Sequence, residues 1–212
     1  TGILRTAPVN GARHGYKYDG RKWVETGLIL EAAATNLTGN FVNIGTGAVL
    51  WSTGQGLTPE LTTAVTAPDG TMTAVKIKEI TTASGTSASF YKPVAGTANT
   101  QRCLSVYAKA GEINMIRMYF DGTTPLCGQV IYNLSLGTIH IAQSPNATDR
   151  WGIEPVGNGW YRCWFSGTVT GGQTTYYWHI DTVDGFGNVG HNTVAGNGCY
   201  LWGPQMEYSS AP

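Results

Sequence analysis

Charge is scarce in this chain. Lys, Arg, Asp and Glu make up 12% of the 212 residues, with 13 basic against 13 acidic side chains and a formal net charge of zero. Globular domains usually carry about 25%. Without an excess of either sign there is no long-range field to gather nucleic acid or an anionic membrane surface, so neither is expected as a partner. Long apolar runs are missing as well: no stretch approaches the roughly 18 residues of a membrane-spanning helix, so no membrane insertion is expected. The opening residues, Thr1-Gly2-Ile3-Leu4-Arg5, lack the basic and apolar regions of a secretion signal. Because the chain begins at Thr1 rather than Met, it reads as a processed piece of something longer. Amphipathic helices are absent too, and the best helical stretch, Leu30 to Ala34, is too short to stand alone.

Motifs that carry chemistry are equally thin. The four cysteines, Cys103, Cys127, Cys163 and Cys199, form no Cys-x-x-Cys pair, which disfavours zinc. Each sits in or beside a strand-like run, where a free cysteine acts as a small buried hydrophobe. His14, His140, His179 and His191 have no Gly-x-Ser-x-Gly elbow to serve. Glycoside hydrolysis needs two carboxylates at a controlled separation, and no pair among the 13 acids stands out. The stretch DTVDGFGN at 181–188 lacks the alternating ligands and terminal Glu of a calcium loop, and reads as a Gly-rich turn. The expectation is therefore a chain that is not an enzyme, with no catalytic residue, no metal and no cofactor.

Core-forming residues and turn formers are abundant. Hydrophobic residues reach 42%, with seven Trp, eleven Tyr and 29 Gly, so a sizeable core is affordable and disorder is excluded. Short runs rich in Val, Ile, Thr, Tyr and Trp recur between Gly, Asn, Asp and Pro clusters, the pattern of an all-β sandwich or barrel. Strands are predicted near 72–80, 86–92, 102–109, 113–120, 128–134, 138–142, 159–168, 174–182 and 199–207. Asn158-Gly159 and Asn197-Gly198 mark tight turns before two of them. Composition does not change along the chain, so residues 23–212 read as one domain. Residues 1–22 read as an extended lead-in or anchoring segment. With Tyr16 and Tyr18 near its end, that segment gains order by lying against a neighbouring subunit or by folding back on its own domain. The first arrangement implies a homo-oligomer.

The aromatic residues form the most specific constellation. Side chains alternate along a strand, so Tyr161, Cys163 and Phe165 share one face of 159–166, and Trp160, Arg162 and Trp164 the other. In 174–181, Tyr176, Trp178 and Ile180 oppose Tyr177, His179 and Asp181. A hairpin turning at Thr170-Gly171 would set Trp164 against Tyr177, Arg162 against His179 and Trp160 against Asp181. Flat rings beside hydrogen-bonding groups would then form a shelf suited to sugar. The competing reading covers Trp160 and Trp164 with a loop or another subunit.

Three stretches together resemble a family of phage tail-fibre, spike and head-fibre surface domains. They are Tyr16-Lys17-Tyr18-Asp19 with GLILEAAATNL (27–37); APDGTMTAVKI (67–77) with LSVYAKAG (104–111); and YNLSLGTI (132–139) through VGNGWYRC (156–163) to GCYLWGPQMEY (198–208). Their order and spacing match over nearly the whole chain. The resemblance implies an antiparallel jelly-roll β-sandwich similar to carbohydrate-binding modules and concanavalin-like sandwiches. It also implies a place on the virion surface, in a tail fibre, head fibre or capsid decoration, with capsid or tail proteins as partners and often a homotrimer. Glu31-Ala32-Ala33-Ala34 stands where family members often carry an acidic pair and an Arg, so contacts made by those side chains do not carry over. The expected role is structural and adhesive, with a host-surface glycan as ligand. The alternative is a carbohydrate-binding module of a bacterial extracellular enzyme.

Overall fold

The computed structural model describes residues 14–18, 22–28, 52–53, 57–61, 65–80, 83–86, 88–95, 99–121, 128–144, 146–169 and 175–208. The described residues form strands and no helix. The strands are β1 (His14–Tyr18), β2 (Trp23–Leu28), β3 (Ser52–Thr53), β4 (Leu57–Leu61), β5 (Val75–Glu79), β6 (Ala83–Thr86), β7 (Ser89–Ala95) and β8 (Thr100–Lys109). There follow β9 (Met115–Asp121), β10 (Gln129–Asn133), β11 (Thr138–Gln143), β12 (Arg150–Gly157), β13 (Trp160–Val169), β14 (Thr175–Val183), β15 (His191–Thr193) and β16 (Gly198–Glu207).

Two six-stranded antiparallel sheets form a sandwich. Sheet one has the order β11-β10-β9-β14-β7-β3, and sheet two β12-β13-β8-β16-β5-β4. From β5 through β7 and β8 to β9 the chain changes sheet at every strand, and it does so again from β13 through β14 to β16. This is jelly-roll winding, and the two separate sheets exclude a closed barrel. Two small pairs complete the list: β1 with β2, and β15 with β6. The β1–β2 hairpin runs across the expected division at residue 22. The helical stretch considered at Leu30 to Ala34 lies outside the described residues.

Period-two alternation explains the core. In β5, Val75 and Ile77 are buried while Lys76 and Lys78 are half-buried on the other face. Phe90, Leu104, Val106, Met118, Phe120, Phe165, Trp178 and Ile180 are fully buried and belong to one cluster between the sheets. Each such side chain contributes about 1.5–3 kcal/mol when withdrawn from water. At one margin of the sandwich a buried carboxylate ties the layers together. Glu79, ending β5, receives the β14 hydroxyl of Thr182 at 3.2 Å and the backbone N–H of Val194 at 2.7 Å, and lies 2.7 Å from Nε2 of His191 in β15.

Cys103, Cys163 and Cys199 are free, buried thiols. Burial pushes Cys103 and Cys199 up to about 12 and Cys163 well above the ordinary range. Only the thiolate is an efficient nucleophile. Iodoacetamide at mildly alkaline pH should therefore leave these three unmodified in the native protein and label them after denaturation, as read by peptide mass spectrometry. Native labelling at any of them would contradict the burial. Cys127 lies outside the described residues.

Candidate functional site

The expected hairpin between β13 and β14 is not formed. β13 pairs with β12 and β8, whereas β14 pairs with β7 and β9, so the two strands belong to opposite sheets. Both strands have one strongly apolar face. Opposing those faces across the core, Cys163 and Phe165 against Tyr176, Trp178 and Ile180, buries both at once. Trp164 is therefore beside Gly152 and Ser105, not Tyr177, and Tyr177 is beside Pro93 and Asp121. The six expected ligand residues divide in two. Trp160, Arg162 and Trp164 lie on the outer face of sheet two, and Tyr177, His179 and Asp181 on the outer face of sheet one.

On sheet two, Trp160 is unavailable to a ligand. It is 1% exposed, packs with Ala67 and Ala74, and donates from Nε1 to the carbonyl of Thr66 at 3.0 Å. The segment before β5 covers it, and also takes the Trp202 Nε1–H on Thr73 Oγ1 at 3.0 Å. Trp164 is different. A Cβ at Gly152 would lie 2.4 Å from Nε1, 2.5 Å from Cε2 and 2.7 Å from Cζ2 of the indole. Cε2 recedes behind its two neighbours for any in-plane approach, so near-equal distances to all three mean that the ring rests its face on Gly152. Only glycine permits that seat. The indole is half-buried, so part of it remains open to solvent.

Two charged side chains lie beside this ring. Trp164 Nε1 donates to Glu154 Oε1 at 3.3 Å. Glu154 stands across the strand pair from Arg162, and Arg162 across from Tyr107, which continues to Trp202 on β16. The Nε of Arg162 is buried without a hydrogen-bond partner. A partly open indole beside a carboxylate and a guanidinium can stack an apolar ring face and meet its hydroxyls. The β12–β13 turn that aligns these residues uses positive φ at Asn158 (52°) and Gly159 (76°), as a two-residue hairpin requires.

The outer face of sheet one is built differently. Cross-strand register places Tyr91, His179, Tyr119, Gln129 and Gln143 in one row over β7, β14, β9, β10 and β11. His179 stacks on Tyr91 at 5.2 Å and 25° and on Tyr119 at 4.6 Å and 20°. These separations match the strand spacing of about 4.8 Å, so the rings stand face to face on the sheet and display edges, not faces. Arg117 lies 4.1 Å over Tyr119, and donates to Gln129 Oε1 from Nη1 and to Asp181 Oδ2 from Nε and Nη2. Asp181 is thus buried beneath the row and is not a surface ligand group. Tyr177, 36% exposed and edge-on to Tyr91 and His179, is the most open ring of this set.

Burial pulls the pKa of His179 below the ordinary 6.5, with Arg117 adding to the effect and Asp181 and Asp121 opposing it. The folded protein therefore holds a neutral ring where the unfolded chain accepts a proton. Its contribution to stability is fully present above the ordinary histidine value and is lost as pH falls through the lower folded value. Urea midpoints should decline more steeply with acidification in wild type than in His179→Phe, which keeps a ring and cannot titrate. Equal slopes, or an NMR titration of His179 at or above the ordinary value, would contradict this.

Among the described residues, no group of three or more His, Cys, Asp or Glu side chains converges as a metal site would require. No family model matches this chain, and no curated protein matches it. Among solved structures it is similar to the enzymatically active domain of tailspike protein 4 of bacteriophage CBA120, with a TM-score of 0.42 and 15% identity. The match covers 81% of this chain and 20% of that one, so this chain spans about a fifth of the neighbour. That neighbour is described as enzymatically active, which overturns the expectation that the chain is not an enzyme. The exclusion of catalysis is withdrawn, and the likeness assigns no residue a role.

Sequence reasoning missed Gly152, Glu154, Tyr91, Tyr119 and Arg117. A signal for the first two existed: a hairpin dipeptide at 158–159 demands a strand on both sides, so one was implied before residue 158. The alternation of MIRMYFD at 115–121 likewise sets Arg117, Tyr119 and Asp121 on one face.

Proposed function

We propose that this chain is a surface domain of a phage particle that holds a host-surface glycan against the outer face of sheet two. The observation that carries the reading is the half-buried Trp164 indole, seated flat on Gly152 with the Glu154–Arg162 cross-strand pair beside it. Aromatic faces present an apolar surface of fixed geometry, and the flanking groups supply donors and acceptors. The jelly-roll sandwich, the charge-poor surface and the ordered motifs of phage appendage domains support the same reading. Millimolar affinity per site corresponds to about −4 kcal/mol, and repetition over a virion raises it by avidity. Repetition follows if the chain is one subunit of a homotrimer attached to capsid or tail, which light scattering tests through the solution mass.

The test is binding of the chain to an array of bacterial surface polysaccharides, with adsorption to the matching host cells as second readout. The reading expects saturable binding that soluble glycan competes away. Failure to bind any polysaccharide of a host whose cells the particle adsorbs to would end it.

A further inference from the structure

Arg102 begins the inward-facing set of β8, in phase with Leu104, Val106 and Ala108, and so points between the sheets. It is 0% exposed, and neither Nε, Nη1 nor Nη2 has a hydrogen-bond partner. Its guanidinium lies over two rings instead, 5.5 Å from the centre of Tyr176 and 5.2 Å from that of Tyr208. Rings engage the faces of a guanidinium and leave its five in-plane N–H donors unused.

Arg117 shows what is missing. It too lies over a tyrosine, but its N–H groups are taken by the carboxylate of Asp181 and the amide oxygen of Gln129. Arg102 has the rings without the acceptors. Guanidinium stays charged at any physiological pH, and a buried charge without a partner is strongly disfavoured. A planar carboxylate answers both needs, since it accepts two parallel N–H bonds in the plane that the rings leave free. The cover is Tyr208, 55% exposed and just beyond the end of β16, beside the Cys103–Glu207 pair.

The geometry points to the Arg102 end of the sandwich as a binding site for a carboxylate ligand, with Tyr208 as its movable cover. This site faces inward and is independent of the Trp164 surface. Its ligand is either a simple carboxylate or the acidic unit of a sugar acid, which share the group that Arg102 reads.

The test compares thermal unfolding of the whole chain in sodium acetate, sodium glucuronate and sodium chloride at matched ionic strength. A rise in Tm over chloride that grows with the logarithm of carboxylate concentration is expected, about 5–10 °C at roughly a hundred times Kd. Response to glucuronate at lower concentration than acetate assigns a sugar acid, and equal responses assign a simple carboxylate. Arg102→Met should abolish the rise while being no less stable than wild type in chloride. Tyr208→Ala removes an exposed cover, and should respond at lower carboxylate concentration than wild type. The proposal is overturned if wild type does not distinguish carboxylate from chloride, or if Arg102→Met responds as wild type does. Should Arg102→Met fail to fold, an unchanged response in Tyr208→Ala overturns it.

Discussion

Glu79→Ala is expected to destabilise the fold by about 3 kcal/mol or more, because each buried polar group left without its hydrogen-bond partner costs about 1–3 kcal/mol. Glu79 is 2% exposed, and its two carboxylate oxygens serve groups from two strands and from the turn that follows β15. Thr182 of β14, His191 of β15 and the Val194 N–H would all face an empty space. His191 has no second outlet, because its Nδ1 is already 3.2 Å from the Val189 carbonyl. The backbone of Glu79 adds to the junction, donating to Asn197 O and accepting from Gly196 N, each at 2.8 Å. Glu79→Gln keeps the shape and one acceptor oxygen, so it should lose less. Urea denaturation gives both values. A Glu79→Ala protein within about 0.5 kcal/mol of wild type, the range of ordinary surface changes, would show that the cluster does not hold the sheets.

Trp164→Ala is expected to weaken glycan binding roughly thirtyfold or more, as truncating an anchoring Trp removes about 2 kcal/mol or more. The fold should survive. A half-buried indole seated on the edge strand β12 contributes about 1–2 kcal/mol, whereas truncating a fully buried Trp such as Trp178 removes about 3–5 kcal/mol. Gly152→Val separates the platform from mere hydrophobicity. It keeps the indole in the chain but puts a side chain where the ring rests, so binding should fall as in Trp164→Ala. Tyr177→Ala, on the opposite sheet, should bind as wild type. If Trp164→Ala instead unfolds the chain, the ring is core. If it binds normally, the platform is not the site.

The reach of the sequence follows the range of each interaction. Alternation is local, so Trp160, Arg162 and Trp164 were correctly assigned to one face of their strand and Cys163 and Phe165 to the other. Turn dipeptides are local too, and Asn158-Gly159 forms the hairpin it promises. At Asn197-Gly198 the positive φ falls one residue earlier, on Gly196. Partnering is not local. Neighbouring strands in sequence often pair, which made β13 with β14 the natural hairpin, but jelly-roll winding sends consecutive strands to opposite sheets. The shelf across Trp164 and Tyr177 failed for that reason. β12 escaped notice because Gly152 and Pro155 interrupt its alternation and an edge strand buries little. Yet Gly152 is the residue that seats Trp164, a contact across two strands that no local pattern announces.

The most direct measurement is the indole N–H region of the NMR spectrum during titration with an oligosaccharide that the chain binds. The Trp164 signal, assigned by its loss in Trp164→Ala, should shift saturably with the same Kd as bulk binding. Signals of the buried Trp160 and Trp178 should stay in place. Saturable binding that leaves Trp164 unmoved would contradict the account.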